Sequence, residues 1–122
     1  MPEANRRKTL IILNDPPYGT ERSYNGVRLA NALSKSEDDE VRVFLIGDAV
    51  LCGKKGQKTP DGYYNLERML KVSSRQGVAV GSCGSCLDAR AIGVEELAGG
   101  VHRGSMDELA EWTRWADKVV VF

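Results

Sequence analysis

Val78-Ala79-Val80 runs into Gly81-Ser82-Cys83-Gly84-Ser85-Cys86-Leu87-Asp88-Ala89-Arg90, a short apolar segment followed by two thiols and helix-compatible residues. An apolar run of this length bounded by glycines reads as a strand, which places the Cys-x-x-Cys at a strand's carboxyl end. In an open α/β sheet, loops gather at that end to form ligand sites. Backbone N–H groups and the dipole of a following helix favour the thiolate there, and Arg90, one turn after Cys86, would add a positive charge. The thiolate is the nucleophile, so at least one of Cys83 and Cys86 is expected to react near neutral pH. The plain alternative is two small residues packing a tight turn; reduced pairs at this spacing are more often redox or metal sites.

Working back from the thiols, Leu66, Met69, Leu70 and Ser73 recur at helical spacing between Tyr63 and Gln76, and Gly77 is placed to end that helix in the left-handed region. Before it, Gly53-Lys54-Lys55-Gly56-Gln57-Lys58-Thr59-Pro60-Asp61-Gly62 reads as a mobile loop whose lysines are either solvated or able to meet an anionic substrate or partner. Ala49-Val50-Leu51-Cys52 reads as a short apolar helix after a second strand, Val41-Arg42-Val43-Phe44-Leu45-Ile46. The charge run Ser34-Lys35-Ser36-Glu37-Asp38-Asp39-Glu40 reads as a solvated turn. Thr9-Leu10-Ile11-Ile12-Leu13-Asn14 is continuously apolar and β-branched, the pattern of a strand buried on both faces of a parallel sheet. Asp15-Pro16-Pro17-Tyr18-Gly19-Thr20 must be loop. It lies where a phosphate would bind but lacks the glycines of a nucleotide loop, so a nucleotide site is weakly supported. Thr20 is placed to cap a helix reaching Ser34, with Val27, Leu29, Ala30 and Leu33 as its apolar stripe.

Working forward, Leu87 to Ile92 has room for about one and a half helical turns. Val101-His102-Arg103 reads as a short fourth strand, and Ser105-Met106-Asp107-Glu108 as a capping box opening a helix with Leu109, Trp112, Trp115 and Ala116 on one face. Lys118-Val119-Val120-Val121-Phe122 closes the chain as an apolar strand. Strands and helices alternate throughout. With right-handed crossovers, that alternation predicts an α/β fold: one three-layer α/β/α domain over residues 1–122, with a mostly parallel sheet of about five strands.

The 122 residues carry 17 basic and 17 acidic side chains, so no global charge favours nucleic acid or an anionic membrane. No run is long enough to span a bilayer, and Met1-Pro2-Glu3-Ala4-Asn5-Arg6-Arg7-Lys8 lacks the apolar stretch of a signal peptide. Three cysteines, an odd number, point to reduced thiols in a cytoplasm rather than a secreted disulfide scaffold. A closed zinc site would need four ligands, and beside this pair the chain has one histidine, His102, and no second Cys-x-x-Cys. His102 is more simply a strand or surface residue, Cys52 a buried small hydrophobe, and Trp112 and Trp115 packing residues, of which one could reach a subunit interface.

At these residues the chain resembles the DsrE/DsrF-like family of sulfur-relay proteins, and most closely its small YchN-like members. The resemblance runs through Pro17-Tyr18-Gly19-Thr20, Arg28-Leu29-Ala30-Asn31-Ala32-Leu33, Phe44-Leu45-Ile46-Gly47-Asp48-Ala49-Val50, Gly56-Gln57-Lys58 with Gly62-Tyr63-Tyr64-Asn65-Leu66, and Met69-Leu70. It continues through Cys83-Gly84-Ser85-Cys86-Leu87-Asp88-Ala89-Arg90, Glu108-Leu109-Ala110-Glu111-Trp112-Thr113 and Ala116-Asp117-Lys118-Val119. Ala91 departs from it, standing where members usually have glycine.

The resemblance implies an α/β subunit of a homohexamer in which a loop cysteine carries sulfur as a persulfide between donor and acceptor proteins, without a cofactor. The site residues it marks are Cys83, Cys86, Asp88 and Arg90, and either cysteine fits as the carrier. A dithiol–disulfide oxidoreductase is the alternative from the same pair, although none of the four prolines follows the motif as a thioredoxin-like companion loop would need. A structural oligomer without chemistry is the third reading.

Overall fold

A continuous apolar run has no polar face to offer water, and the first strand accordingly lies inside the sheet with a neighbour on each side. The computed structural model describes residues 5–122; the reading of residues 1–4 as part of a leaderless N-terminus lies outside them. β1 (Arg7–Leu13) pairs with β2 (Asp39–Leu45) and with β5 (Lys118–Val121), β2 with β3 (Ala79–Cys83), and β3 with β4 (Val101–Gly104). All the pairings are parallel, and the order across the sheet is β4-β3-β2-β1-β5. The expected α/β class and five-stranded sheet are thus observed, with the sheet wholly parallel.

Partners in a parallel ladder share a face, so the register sorts the side chains into layers. Ile11 and Leu13 lie with Val43 and Leu45 on the face that receives α1 (Arg22–Leu33), where a Cβ on Gly26 would strike the Leu13 side chain. α2 (Leu66–Arg75) packs beside α1, tied to it by Asn31 Nδ2 donating to Met69 O (3.2 Å) and Ser73 Oγ donating to Asn31 Oδ1 (2.6 Å). Among the described residues α4 (Met106–Trp115) is the helix on the opposite face, with Trp112 meeting Phe44 edge-on at 6.0 Å between centroids. Right-handed crossovers dictate this division: β1 to β4 step outward with their connections on one side, and the return to β5 crosses on the other.

Several local expectations are corrected by groups distant in sequence. Thr20 is not the N-cap residue of α1: that is Glu21, without a side-chain cap, while Thr20 Oγ1 donates to Asp15 Oδ2 (2.9 Å) and accepts from Arg22 N (3.4 Å) at the helix start. The run Ser34 to Glu40 is not all solvated turn. Asp39 opens β2, is 8% exposed, and takes a bidentate pair from Arg7 at 3.2 and 2.9 Å. Tyr63 and Tyr64 precede α2 rather than open it, because Asn65 Oδ1 accepts from Arg68 N (3.1 Å) and sets the cap. Ala49 to Cys52 belong to a 3-10 segment, Gly47–Gly53.

The lysine loop was expected to be mobile, yet its centre is anchored. Gln57 Nε2 donates to Cys52 O and Lys54 O at 2.9 Å each, and Gly56 N and Gln57 N both donate to Glu67 Oε1 at 2.9 Å. Only half of the capping box forms: Ser105 Oγ accepts from Glu108 N (3.1 Å), while the Glu108 carboxylate turns to His102 Nε2 (2.8 Å). The last strand is apolar but lies at the sheet's edge, leaving Val119 43% and Val121 62% exposed.

Candidate functional site

β3 hands the chain directly to a helix, α3 (Gly84–Ala89), which begins three residues before the expected Leu87 and ends before Ile92. Cys83 is therefore both the last residue of β3 and the N-cap residue of α3, and Cys86 lies inside the helix. Cys83 is buried at 4% exposure, Cys86 is half-buried, and both are free thiols. Ser85, between them, places Oγ 3.4 Å from Cys83 Sγ.

The two thiols are unequal. Burial alone would push Cys83 up, but hydrogen bonds from the Cys86 thiol, the Ser85 hydroxyl and the backbone N–H groups of Cys86 and Ser85 together bring it below the ordinary thiol value. For Cys86, burial and donation of its proton to Cys83 push the thiol up, against Gly47 N, which donates to Cys86 Sγ at 3.2 Å, and against the charge of Arg90. Of the two, Cys83 is the more readily ionised.

Arg90 lies near the thiols, as its spacing suggests, with its guanidinium tied between the Cys86 carbonyl and Asp48 rather than bonded to either sulfur. Nη1 donates to Cys86 O (2.9 Å), and Nη2 and Nε donate to Asp48 Oδ1 (2.7 and 3.1 Å). Asp88 is turned away from the thiols. Both its oxygens accept from Arg103 of β4, at 2.8 and 2.9 Å, and these hydrogen bonds hold the carboxyl below its usual value. Arg103 in turn lies across Gly84: a Cβ there would come within 2.9 Å of its Cζ and Nη2 and of Gly104 O. Glycine between the cysteines is therefore required by packing.

Gly47, Asp48, Ser85 and Arg103 are the site residues that sequence reasoning missed. Ser85 was open to discovery from its place within the Cys-x-x-Cys. Gly47, Asp48 and Arg103 arrive from other strand ends, and no local pattern marks them.

The remaining candidates stay apart from this pair. Cys52 is fully buried and its thiol is pushed up to about 12 by burial, so it acts as the packing residue expected. His102 is an exposed strand residue held by Glu108. Trp112 is buried, while Trp115 is half-buried beneath the Arg42 guanidinium, 3.8 Å from its centroid. In the loop after β1, Ser23 Oγ donates to Asp15 O (2.7 Å) and Thr20 engages the Asp15 carboxylate, so Asp15 is occupied by structural contacts. Among the described residues no three His, Cys, Asp or Glu side chains are grouped to hold a metal, and no helix is long and apolar enough to cross a membrane.

The sequence pattern of the DsrE/DsrF-like family matches residues 7–122, spanning every element just described. The chain belongs to the DsrE/DsrF-like family. It is 44% identical over 117 residues to protein YchN of Escherichia coli K12, covering 95% of this chain and 99% of that one. An uncharacterized protein of Methanopyrus kandleri is 38% identical over 112 residues, covering 92% of this chain and 91% of the relative. The crystal structure of the E. coli YchN protein superposes with a TM-score of 0.89 over 95% of this chain and 99% of that one. A Methanobacterium thermoautotrophicum protein of unknown function shares the fold at 16% identity, with a TM-score of 0.71 over 94% of this chain and 98% of that one. Within this DsrE/DsrF-like chain, the end of β3 brings two free thiols, Cys83 and Cys86, to one strand-to-helix junction.

Proposed function

We propose that this chain is a sulfur-relay protein that carries sulfane sulfur as a persulfide on Cys83 and passes it to a partner protein. The observation that carries the reading is the pair of free thiols at the junction of β3 and α3, where Cys83 is the N-cap residue with Ser85 Oγ 3.4 Å from its sulfur and is the more readily ionised of the two. The Cys83 thiolate attacks the outer sulfur of a donor R–S–SH. A new S–S bond forms to give Cys83–S–SH, the donor's S–S bond breaks, and the electron pair leaves on R–S⁻. An acceptor thiolate then repeats the displacement on the outer sulfur and returns Cys83 as thiolate, so no net oxidation occurs.

Cys86 gains a role from its raised pKa. As a thiolate it would attack the inner sulfur of Cys83–S–SH, forming the Cys83–Cys86 disulfide and expelling HS⁻, which discards the cargo as sulfide. Held as a thiol, it is slow to do so. Family membership supports the relay, and three free thiols suit the reducing cytoplasm in which we place it. The exposed valines of the edge strand support assembly with further copies, the homohexamer suggested by resemblance.

Intact-protein mass spectrometry of reduced wild type, Cys83→Ser and Cys86→Ser after incubation with inorganic polysulfide tests this. A reductant-labile adduct of one sulfur is expected on wild type and Cys86→Ser, and none on Cys83→Ser. Clean formation of an internal disulfide without any adduct would replace the relay by dithiol–disulfide exchange.

A further inference from the structure

The described residues hold a cleft that the sulfur chemistry does not use, about 420 Å³ in volume and lined by Gly19, Thr20, Glu21, Tyr63 and Tyr64. It opens beyond the carboxyl end of β1, between the loop that leads to α1 and the segment that leads to α2. Behind it stands a ladder of aromatic rings. Tyr24 stacks on Tyr64 at 4.2 Å between centroids, and Tyr64 on Tyr63 at 4.6 Å. Tyr18 braces both, 5.7 Å from Tyr64 and 6.4 Å from Tyr63, with its hydroxyl fixed by donating to Gln57 Oε1 (2.6 Å) and accepting from Leu66 N (3.2 Å). At one end the ladder is already occupied by a cation: the Arg28 guanidinium lies over Tyr24, 5.3 Å from its centroid. At the other end Tyr63 is 51% exposed.

Charge decides what that open end prefers. Glu21 lines the cleft with a full negative charge, and burial, Tyr63 and Glu21 together disfavour a phenolate at Tyr64. A negative charge is unwelcome here, which disfavours a nucleotide phosphate, whereas a cation gains from the ring faces and from the carboxylate. The positive N-terminus of α1 opposes a cation, but the macrodipole amounts to about half a charge against a whole one on Glu21. A planar group extends a stack better than a compact ammonium, which singles out guanidinium.

We propose that this cleft is a binding site for an arginine side chain presented by a partner protein, with the guanidinium stacked on Tyr63 and paired with Glu21. The site stands independently of the persulfide reading, since none of its residues touches Cys83 or Cys86. The support beneath Tyr63 is pre-formed: Tyr18 is fixed by its two hydrogen bonds and Tyr64 is stacked between Tyr24 and Tyr63, which limits the ordering that opposes binding.

The test is a titration of the full chain with the peptide acetyl-Ala-Arg-Ala-amide, followed by backbone amide NMR shifts, beside the same peptide with neutral citrulline in place of arginine. The arginine peptide is expected to produce saturable, low-millimolar shifts confined to Gly19, Thr20, Glu21, Tyr63 and Tyr64. Citrulline should bind at least about threefold more weakly, as an exposed ion pair and cation–π contact are each small. Glu21→Gln and Tyr63→Ala, both at exposed positions, should each weaken the arginine peptide by a similar factor while leaving the spectrum otherwise folded. Equal binding of the two peptides, insensitivity to both substitutions, shifts elsewhere on the surface, or preferential binding of adenosine monophosphate would each overturn the proposal.

Discussion

Ala91→Gly is expected to stabilise this protein, against the usual rule that glycine destabilises. Ala91 is the one non-glycine residue with positive φ among those described, at 54°. It sits at the position after the cap of α3, where Ala91 N donates to Asp88 O (3.1 Å) and Ile92 N to Leu87 O (3.0 Å), and Leu87 and Ile92 are both buried. These two bonds and the apolar contact make a Schellman motif, whose left-handed residue is ordinarily glycine. α2 ends in the same way, with Gly77 N to Ser74 O (3.1 Å) and Val78 N to Ser73 O (3.0 Å), and there the left-handed residue is glycine at φ 84°. The departure of Ala91 from the family pattern is therefore a backbone matter. A left-handed L-residue costs roughly 1–2 kcal/mol, and the added freedom of glycine in the unfolded chain returns about 0.5–1 kcal/mol of that. The net gain expected is about 0.5–1 kcal/mol, equivalent to a Tm rise of about 2–4 °C in a chain of this size.

Urea unfolding and calorimetry measure it, with an unchanged m-value as the sign that the surface exposed on unfolding is the same in both chains. The reciprocal substitution, Gly77→Ala, should lose about 1 kcal/mol, because no atom lies within 4 Å of the added Cβ and only the backbone resists. If Ala91→Gly unfolds at lower urea than wild type, the assignment of strain to this turn is wrong.

Alkylation by iodoacetamide followed residue by residue should show Cys83 reacting with a midpoint below the ordinary thiol range, losing reactivity as pH falls through its lowered pKa. Cys86, raised, should gain reactivity only at higher pH, and Cys86→Ala should move the Cys83 midpoint upward by removing a hydrogen bond to the thiolate; a Cys83 midpoint unmoved by that change would refute the pairing. Cys52, pushed up to about 12 and fully buried, should stay unmodified until the chain unfolds. Trp112→Ala should destabilise by about 3–5 kcal/mol in chemical denaturation, because a side chain 8% exposed and seated edge-on against Phe44 leaves a cavity under α4. A loss under about 1 kcal/mol would mean that α4 contributes little to that face.

By itself the sequence determined the elements and their order. Buried parallel strands announce themselves as unbroken apolar runs, Gly77 marks a helix end, and Ser105 with Glu108 marks a helix start, because each signal is carried by residues within one turn or one strand. It also placed the Cys-x-x-Cys at a strand end. The tertiary structure alone decided how deeply each sulfur is buried, Cys83 within the sheet and Cys86 half-buried on α3, and brought Gly47 N from the loop after β2 to Cys86 Sγ, while the hydrogen bonds that favour ionisation of Cys83 come from its near neighbours Ser85 and Cys86. It decided that Asp88 serves Arg103 and that Arg90 serves Asp48, pairs 15 and 42 residues apart in the chain. It likewise turned an apparent surface aspartate, Asp39, into a buried partner of Arg7, and an apparent core strand, β5, into an exposed edge. Apolar pattern reports how a segment behaves toward water; which charges meet, and which strand ends the sheet, are set by contacts between segments that no local pattern encodes.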